Sequence, residues 1–257
     1  MDEPWKILLL GVVVLVTHCL EGITGFGCTV LALPFVVLLL GIKTAVPVLV
    51  VLAWLLAGYI IFRSHPHIKW KEFLFIVIHV GIGLPLGILI FDSFSPHVLK
   101  VILSAFMVFV GMHGFFKTHK SKEALLNGTV SAAVRKTFLM RGILFLGGVI
   151  HGAFGSGGPF VVIYASKALD NKTLFRVTLC LLWLTLNTNM MIKWTASGDV
   201  WSAEIGRYIG FSLPFLIGGM LLGDYLHHKV NEYYFKLLVY FVLVCSGLIM
   251  GYSTLNS

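Results

Sequence analysis

Glu21–Pro34 reads EGITGFGCTVLALP, and 130 residues later His151–Tyr164 reads HGAFGSGGPFVVIY. Each stretch sets glycines and one ionisable side chain inside an apolar run, then returns to apolar sequence. In hydrocarbon, non-helical backbone is tolerated only where protein buries it or a water-filled cavity meets it. A glycine cluster that occurs twice in such a setting therefore predicts a paired internal feature.

The surroundings are those of a membrane protein. Of the 257 residues, 58% are hydrophobic and only 12% charged, and the mean hydropathy of +0.95 lies far above that of soluble domains. No stretch between the apolar runs is long enough to form a separate soluble core. The formal net charge of +8 resides in short connecting segments, which fits membrane topology better than nucleic-acid binding. Cys19, Cys28, Cys180 and Cys245 lie in apolar sequence without metal-ligand spacing, so they read as buried thiols, and neither a metal nor a cofactor is expected. The acidic start MDEPWK lacks a small-residue cleavage site, so the first apolar run is expected to be retained.

A bilayer core takes about 20 residues of helix. By that ruler the chain divides into ten apolar segments, near 5–20, 28–40, 45–62, 73–91, 97–116, 138–151, 158–169, 174–192, 205–226 and 234–252. Segments 28–40 and 158–169 are too short to span alone at about 1.5 Å per residue, so eight or ten true spans are both compatible with the pattern.

The two halves match. Gly22, Gly25 and Gly27 fall on Gly152, Gly155 and Gly157; Lys43-Thr44 falls on Lys172-Thr173; Gly81–Pro85 falls on Gly210–Pro214. These matches hold an offset of 129 or 130 and divide the chain into a repeat at 1–116, a basic linker at 117–136 and a second repeat at 137–257. With the linker cytoplasmic, fourteen of the 19 basic residues fall inside, and Lys6, Lys43, Lys100, Lys193 and Arg207 fall outside. The positive-inside rule then sets both termini outside. Five segments per half make the second repeat enter the membrane upside down. The expected fold is all-α and polytopic, with two inverted five-segment repeats that include broken or re-entrant helices.

A glycine loop feeding a short helix leaves the first backbone N–H groups of that helix unpaired. Those donors and the positive end of the helix dipole favour an anion. Pro159 suits a first turn, where its missing N–H is not needed. Inverted repeats bring two such ends toward one midplane cavity, which assigns substrate contacts to Gly22, Thr24, Gly25 and Gly27, and to Gly152, Gly155, Ser156, Gly157 and Gly158. Close packing of small residues is the alternative use of these glycines.

Ionisable groups inside the membrane are functional candidates. Glu21 coincides with His151 in the repeat, and His18 lies one turn before Glu21. These three are assigned to proton coupling; hydrogen bonding to loop backbone is the alternative. In FRVTLCLLWLTLNTNMMIKW, Phe175–Trp194, the residues Thr178, Thr185 and Asn189 share a helical face and Asn187 adds a second amide. They are assigned to the cavity lining, with interhelical hydrogen bonding as the alternative. Pro34, Pro47, Pro85 and Pro214 are expected to kink or break helices, and Trp5, Trp70, Trp194 and Trp201 to anchor at the interfaces. No catalytic residue is assigned: Ser156 lacks the strand-turn-helix context of a nucleophile and no Asp is placed to orient His151.

Together, EGITGFG, its repeat HGAFGSGGPFVV, the basic central loop and a length near 250 resemble the sulfite exporter TauE/SafE family, also called TSUP. The resemblance covers essentially the whole chain. It implies a multi-pass inner-membrane carrier, coupled to an ion, for small sulfur anions such as sulfite, sulfoacetate or other sulfonates. The first motif departs from the second, with Cys28 and Thr29 where Gly158 and Pro159 stand. The expected partners are a small anion and the lipid bilayer, with a homodimer as one assembly and no nucleic acid. A passive small-anion channel is the alternative function.

Overall fold

A computed structural model describes residues 4–126, 138–169, 171–198, 200–227, 229 and 232–255. All regular structure among them is helical: α1 Pro4–Thr24, α2 Cys28–Leu40, α3 Ile42–Ser64, α4 Trp70–Ser93, α5 Pro96–Leu126, α6 Phe138–Phe154, α7 Gly158–Ala168, α8 Lys172–Ser197, α9 Ala203–Leu226 and α10 Glu232–Leu255, with a 3-10 turn at His65–His67. Six of these (α1, α3, α4, α5, α8 and α9) are long and apolar enough to cross a membrane, and shorter apolar helices accompany them. Large apolar side chains such as Phe62, Leu139 and Ile82 face outward, as a lipid-facing surface requires. The chain is an all-helical, polytopic membrane protein.

The short helices begin where the glycines stop. Gly27, at φ 106°, precedes α2, and Gly41, at φ 76°, turns the chain from α2 straight into α3. Both conformations favour glycine. Asn171 caps α8 by accepting the Thr173 and Leu174 N–H groups, and Ser202 caps α9 by accepting from Ile205. Pro34, Pro47, Pro85 and Pro214 all lie inside helices without ending them. The stretch 117–136 is not a loop from its start, because α5 runs on to Leu126; residues 127–136 lie outside the described residues.

Packing is organised between the halves. α1 packs on α9, α4 on α6, α3 on α8 and α5 on α10. Glycines bring the first two pairs into backbone contact. A Cβ added to Gly83 or Gly87 of α4 would lie 2.2 Å from Phe145 O or 2.0 Å from Val149 O of α6. Added to Gly219 or Gly223 of α9, it would lie 2.5 Å from Leu15 O or Cys19 O of α1. These are small-residue interfaces of the kind that association in lipid favours.

The two sets of contacts are images of each other. Leu15 and Cys19 stand 130 residues before Phe145 and Val149, while Gly83 and Gly87 stand 136 before Gly219 and Gly223. Trp54 donates to Thr188 Oγ1 at 2.8 Å, and Gly58 faces Leu184; exchanging halves at an offset of 130 converts one contact into the other. At an offset of 136 the contacts of Gly111 with Tyr240 and Val244 become those of Gly247 with Ser104 and Val108. Residue numbers rise together across α1–α9 and α4–α6, and in opposition across α3–α8 and α5–α10. The first two pairs are therefore parallel and the last two antiparallel.

This packing corrects the register of one sequence match. Gly81–Pro85 and Gly210–Pro214 align at 129, but the glycines that meet a partner are in register at 136. A Cβ on Gly81 or Gly210 would meet nothing within 4 Å. The second half gains six residues before its packing glycines, part of them in α8, which has 26 residues against 23 in α3.

Trp5 and Trp70 are exposed, as anchors would be, but Trp194 is fully buried. Its ring packs beside those of Phe91 and Trp201, so Trp194 is core rather than an interfacial anchor.

Candidate functional site

Glu21 sits in the last turn of α1. Its side chain reaches over the glycine loop, and Oε2 accepts the Cys28 N–H at 2.9 Å. One of the N–H groups that the start of α2 leaves unpaired is thus met by a carboxylate from seven residues upstream. A negative group at a helix N-terminus is favoured by both the hydrogen bond and the dipole.

His151 occupies the equivalent place at the end of α6. Its Nδ1 accepts the Gly157 N–H at 3.4 Å, just before α7, and its Nε2 lies 2.9 Å from Asn187 Oδ1 on α8. A ring that accepts at Nδ1 and donates at Nε2 is the neutral tautomer. In both halves the Gly25 or Gly155 N–H returns to the carbonyl of residue 21 or 151, at 2.6 Å each. The halves therefore place an acid and an imidazole on the N-termini of paired short helices.

Trp183 ties the two loops together. Its indole stacks on His151 at 5.4 Å between centroids and 14° between planes, while Nε1–H donates to Gly25 O at 2.9 Å. Between these groups lies a small cavity lined by Glu21, Gly27, Thr29, Val30, Ala53, His151, Gly155, Ser156, Gly158, Trp183 and Asn187. The space within it open to the centre of a water-sized group is about 20 Å³, room for about one such group. No lysine or arginine lines it, and Glu21 is the one carboxylic acid of its lining.

Ser156 supplies the strongest pointer to a ligand. It is 3% exposed, lines the cavity, and its Oγ finds no hydrogen-bond partner among the described residues. Buried hydroxyls are normally paired, and an unpaired one costs roughly 1–3 kcal/mol. A bound acceptor would meet it.

The residues assigned from sequence divide into two sets. Glu21, Gly27, His151, Gly155, Ser156, Gly158 and Asn187 meet at the cavity. Gly22 and Gly152 serve helix packing, against Gly223 and against Leu84 and Gly87. Gly25 takes φ 81° with its Cα against Arg176, and Gly157 lies against Gly147 O. The Thr24 hydroxyl stays local, with Leu20 O of α1 and Phe26 O of the loop both within reach of its one O–H. His18 is buried with Nδ1 on Val14 O and is not among the lining residues.

The α8 stripe separates in the same way. Thr178 Oγ1 accepts the Lys69 N–H at 3.1 Å, away from the cavity. Thr185 bonds back to Leu181 O, and Asn189 is exposed and donates to Thr185 O. Of the four, Asn187 alone lines the cavity. Sequence reasoning missed Thr29 and Trp183. Trp183 stands one helical turn before Asn187, so the signal for it was the aromatic at i−4.

A second space of about 650 Å³ adjoins the first, bounded by Phe26, Gly27, Phe109, Phe160, Tyr240 and neighbouring apolar groups. Its walls offer little to an anion.

A family model described as "Sulfite exporter TauE/SafE" matches residues 9–250 of the chain. No curated protein and no solved structure shows significant similarity to it.

Proposed function

Because the chain belongs to the sulfite exporter TauE/SafE family of membrane transporters, which are not enzymes, we propose that it is a proton-coupled secondary carrier of small sulfur anions such as sulfite, sulfoacetate or other sulfonates. Transport proceeds by alternating access of two inverted five-helix halves in the inner membrane, with the central linker cytoplasmic and both termini outside. The exchange symmetry of the contacts, with α3 and α8 antiparallel, supports the inversion. The short helices α2 and α7, of 13 and 11 residues, reach the midplane from opposite faces.

The observation that carries the coupling is the Glu21–Cys28 hydrogen bond. An ionised Glu21 occupies the α2 N-terminus and repels an anion from a cavity that has no basic lining. A proton on Glu21 removes the repulsion and weakens its hold on the Cys28 N–H. The substrate oxygens then accept from that N–H, from Ser156 Oγ–H and from the Asn187 amide. Proton and anion load together, so the loaded site carries one negative charge fewer than with Glu21 ionised, which lowers the cost of crossing a low-dielectric interior. Across the cavity, His151 is a titratable group of the same lining, and the Cys28 and Cys180 thiols also face Glu21.

The test is flux in proteoliposomes with an imposed pH gradient. Wild-type sulfite flux is expected to rise when the proton gradient is aligned with it. Glu21→Gln keeps an acceptor for Cys28 and is expected to lose that dependence. A Glu21→Gln variant as responsive to the gradient as wild type would remove Glu21 from the mechanism.

A further inference from the structure

We infer that two ion pairs, Lys193 with Asp92 and Arg63 with Asp224, are opposing gates of this carrier, one on each side of the central cavity. The inference rests on the alternating-access reading above. Lys193 of α8 pairs with Asp92 in the last turn of α4, and Arg63 in the last turn of α3 lies 3.6 Å from Asp224 in the last turn of α9. Lys193 stands 130 residues after Arg63, the offset that relates α3 to α8. Since α3 and α8 are antiparallel, their C-terminal ends, and with them the two pairs, lie on opposite sides of the protein.

Both pairs cross from one half to the other, as does the 2.6 Å contact of His227 Nδ1 with Ile23 O, whereas the bonds of two neighbouring lysines stay within a half. Lys43 of α3 donates to Phe91 O at the end of α4, and Lys172 of α8 donates to His227 O at the end of α9 at 2.5 Å. These lysines hold a helix C-terminus, where the dipole favours a cation, inside its own half. Each pair therefore adds a charge contact between the halves to the helix packing that already joins α4 to α6 and α9 to α1. A rocking motion of one half against the other separates the charges on one face and closes them on the other.

The two gates are unequal. Asp224 also receives Arg176 Nη2 at 2.9 Å, from a side chain that is 5% exposed and whose Cα lies against Gly25 of the first glycine loop. Position 46, which corresponds to Arg176, is Val46 in the first half. Lys193 and Asp92 are 39% and 36% exposed, and a polar vestibule of about 1020 Å³ opens beside them, walled by Lys43, Thr44, Asp92, Ser197 and Ser202 among others. Asp224 is thus shared between Arg63 of the other half and Arg176 of its own, while the protein is open beside Asp92. An exposed pair shifts an equilibrium only severalfold, which suits a gate that must open in each cycle.

Thiol labelling in lipid nanodiscs tests this, with Ser202→Cys reporting the Asp92 face and Ile68→Cys the Asp224 face, in a background where Cys19, Cys28, Cys180 and Cys245 are replaced. Asp92→Asn is expected to raise labelling at Ser202→Cys and lower it at Ile68→Cys by about threefold. Asp224→Asn is expected to do the reverse. The exchanged pair Asp92→Lys with Lys193→Asp should return both rates to wild type. If sulfite drives the two reporters oppositely in wild type, but the Asn variants move them together or not at all, the gates are overturned and the carrier reading stands. If sulfite at saturation moves both wild-type reporters in the same direction, alternating access itself falls, and the gates with it.

Discussion

Replacing Gly87 with alanine separates two registers for the repeat. The added Cβ would sit 2.0 Å from Val149 O and 2.8 Å from Ala153 N, both backbone atoms, whereas ordinary contact begins at 3.4 Å. No side chain can swing aside, so α4 and α6 must part by about 1 Å. Overpacking of this kind costs about 1–3 kcal/mol, and contact with backbone puts it near the upper figure. Alanine returns about 1 kcal/mol of helix propensity, leaving a net loss of about 2 kcal/mol. For a chain of this size that lowers Tm by about 4–8 °C. Gly223→Ala, at 2.5 Å from Cys19 O, should behave the same way. Gly81→Ala and Gly210→Ala meet nothing within 4 Å, so they keep the propensity gain and should raise Tm by about 2–4 °C. Thermal unfolding of the purified protein in detergent, followed by intrinsic fluorescence, reads all four. Equal effects at Gly81 and Gly87 would refute the backbone-contact argument, and a stable Gly223→Ala beside an unstable Gly210→Ala would refute the offset of 136.

Two further outcomes address the cavity. Ser156→Ala removes a hydroxyl that has no partner among the described residues, so Tm should hold or rise slightly while sulfite or sulfoacetate stabilises the protein less; a thermal-shift panel of sulfite, thiosulfate, sulfoacetate, taurine, sulfate and carboxylates reads the difference, and an unchanged shift would take Ser156 out of the site. Asn187→Leu strips His151 Nε2 of its acceptor and should cost about 1–3 kcal/mol together with most transport, whereas Asn189→Ala, exposed and bonded to its own helix, should transport within about twofold of wild type; equal losses would contradict the assigned faces.

The parts of the fold that were legible in the sequence are those where glycine chemistry leaves little choice. The starts of α2 and α7 follow directly on Gly27 and Gly157, because an interrupted apolar run has few ways to resume as helix. The coincidence of Glu21 with His151 also carried through, since both side chains reach the start of the next helix. The register of α4 and α9 was not legible. Gly-x-x-Leu-Pro is a match of local composition, whereas packing selects the glycines that meet another backbone, a property of the partner helix. The α8 stripe shows a second limit. Periodicity identifies residues that share a face but not where that face points, and Thr185 satisfies itself on its own backbone. Trp194 shows a third: in a helical bundle an indole near a helix end can pack inward as readily as it can anchor.

All four principal helix pairings join one half to the other, and this has a consequence for biogenesis. When residues 1–116 have left the ribosome, α1, α3, α4 and α5 are present without α9, α8, α6 and α10. Gly83 and Gly87 then have no neighbouring backbone to meet. At the usual pace of translation that interval lasts on the order of 10 s. The first half must wait in the bilayer as an incomplete insertion intermediate, and the emerging second half acts as its template.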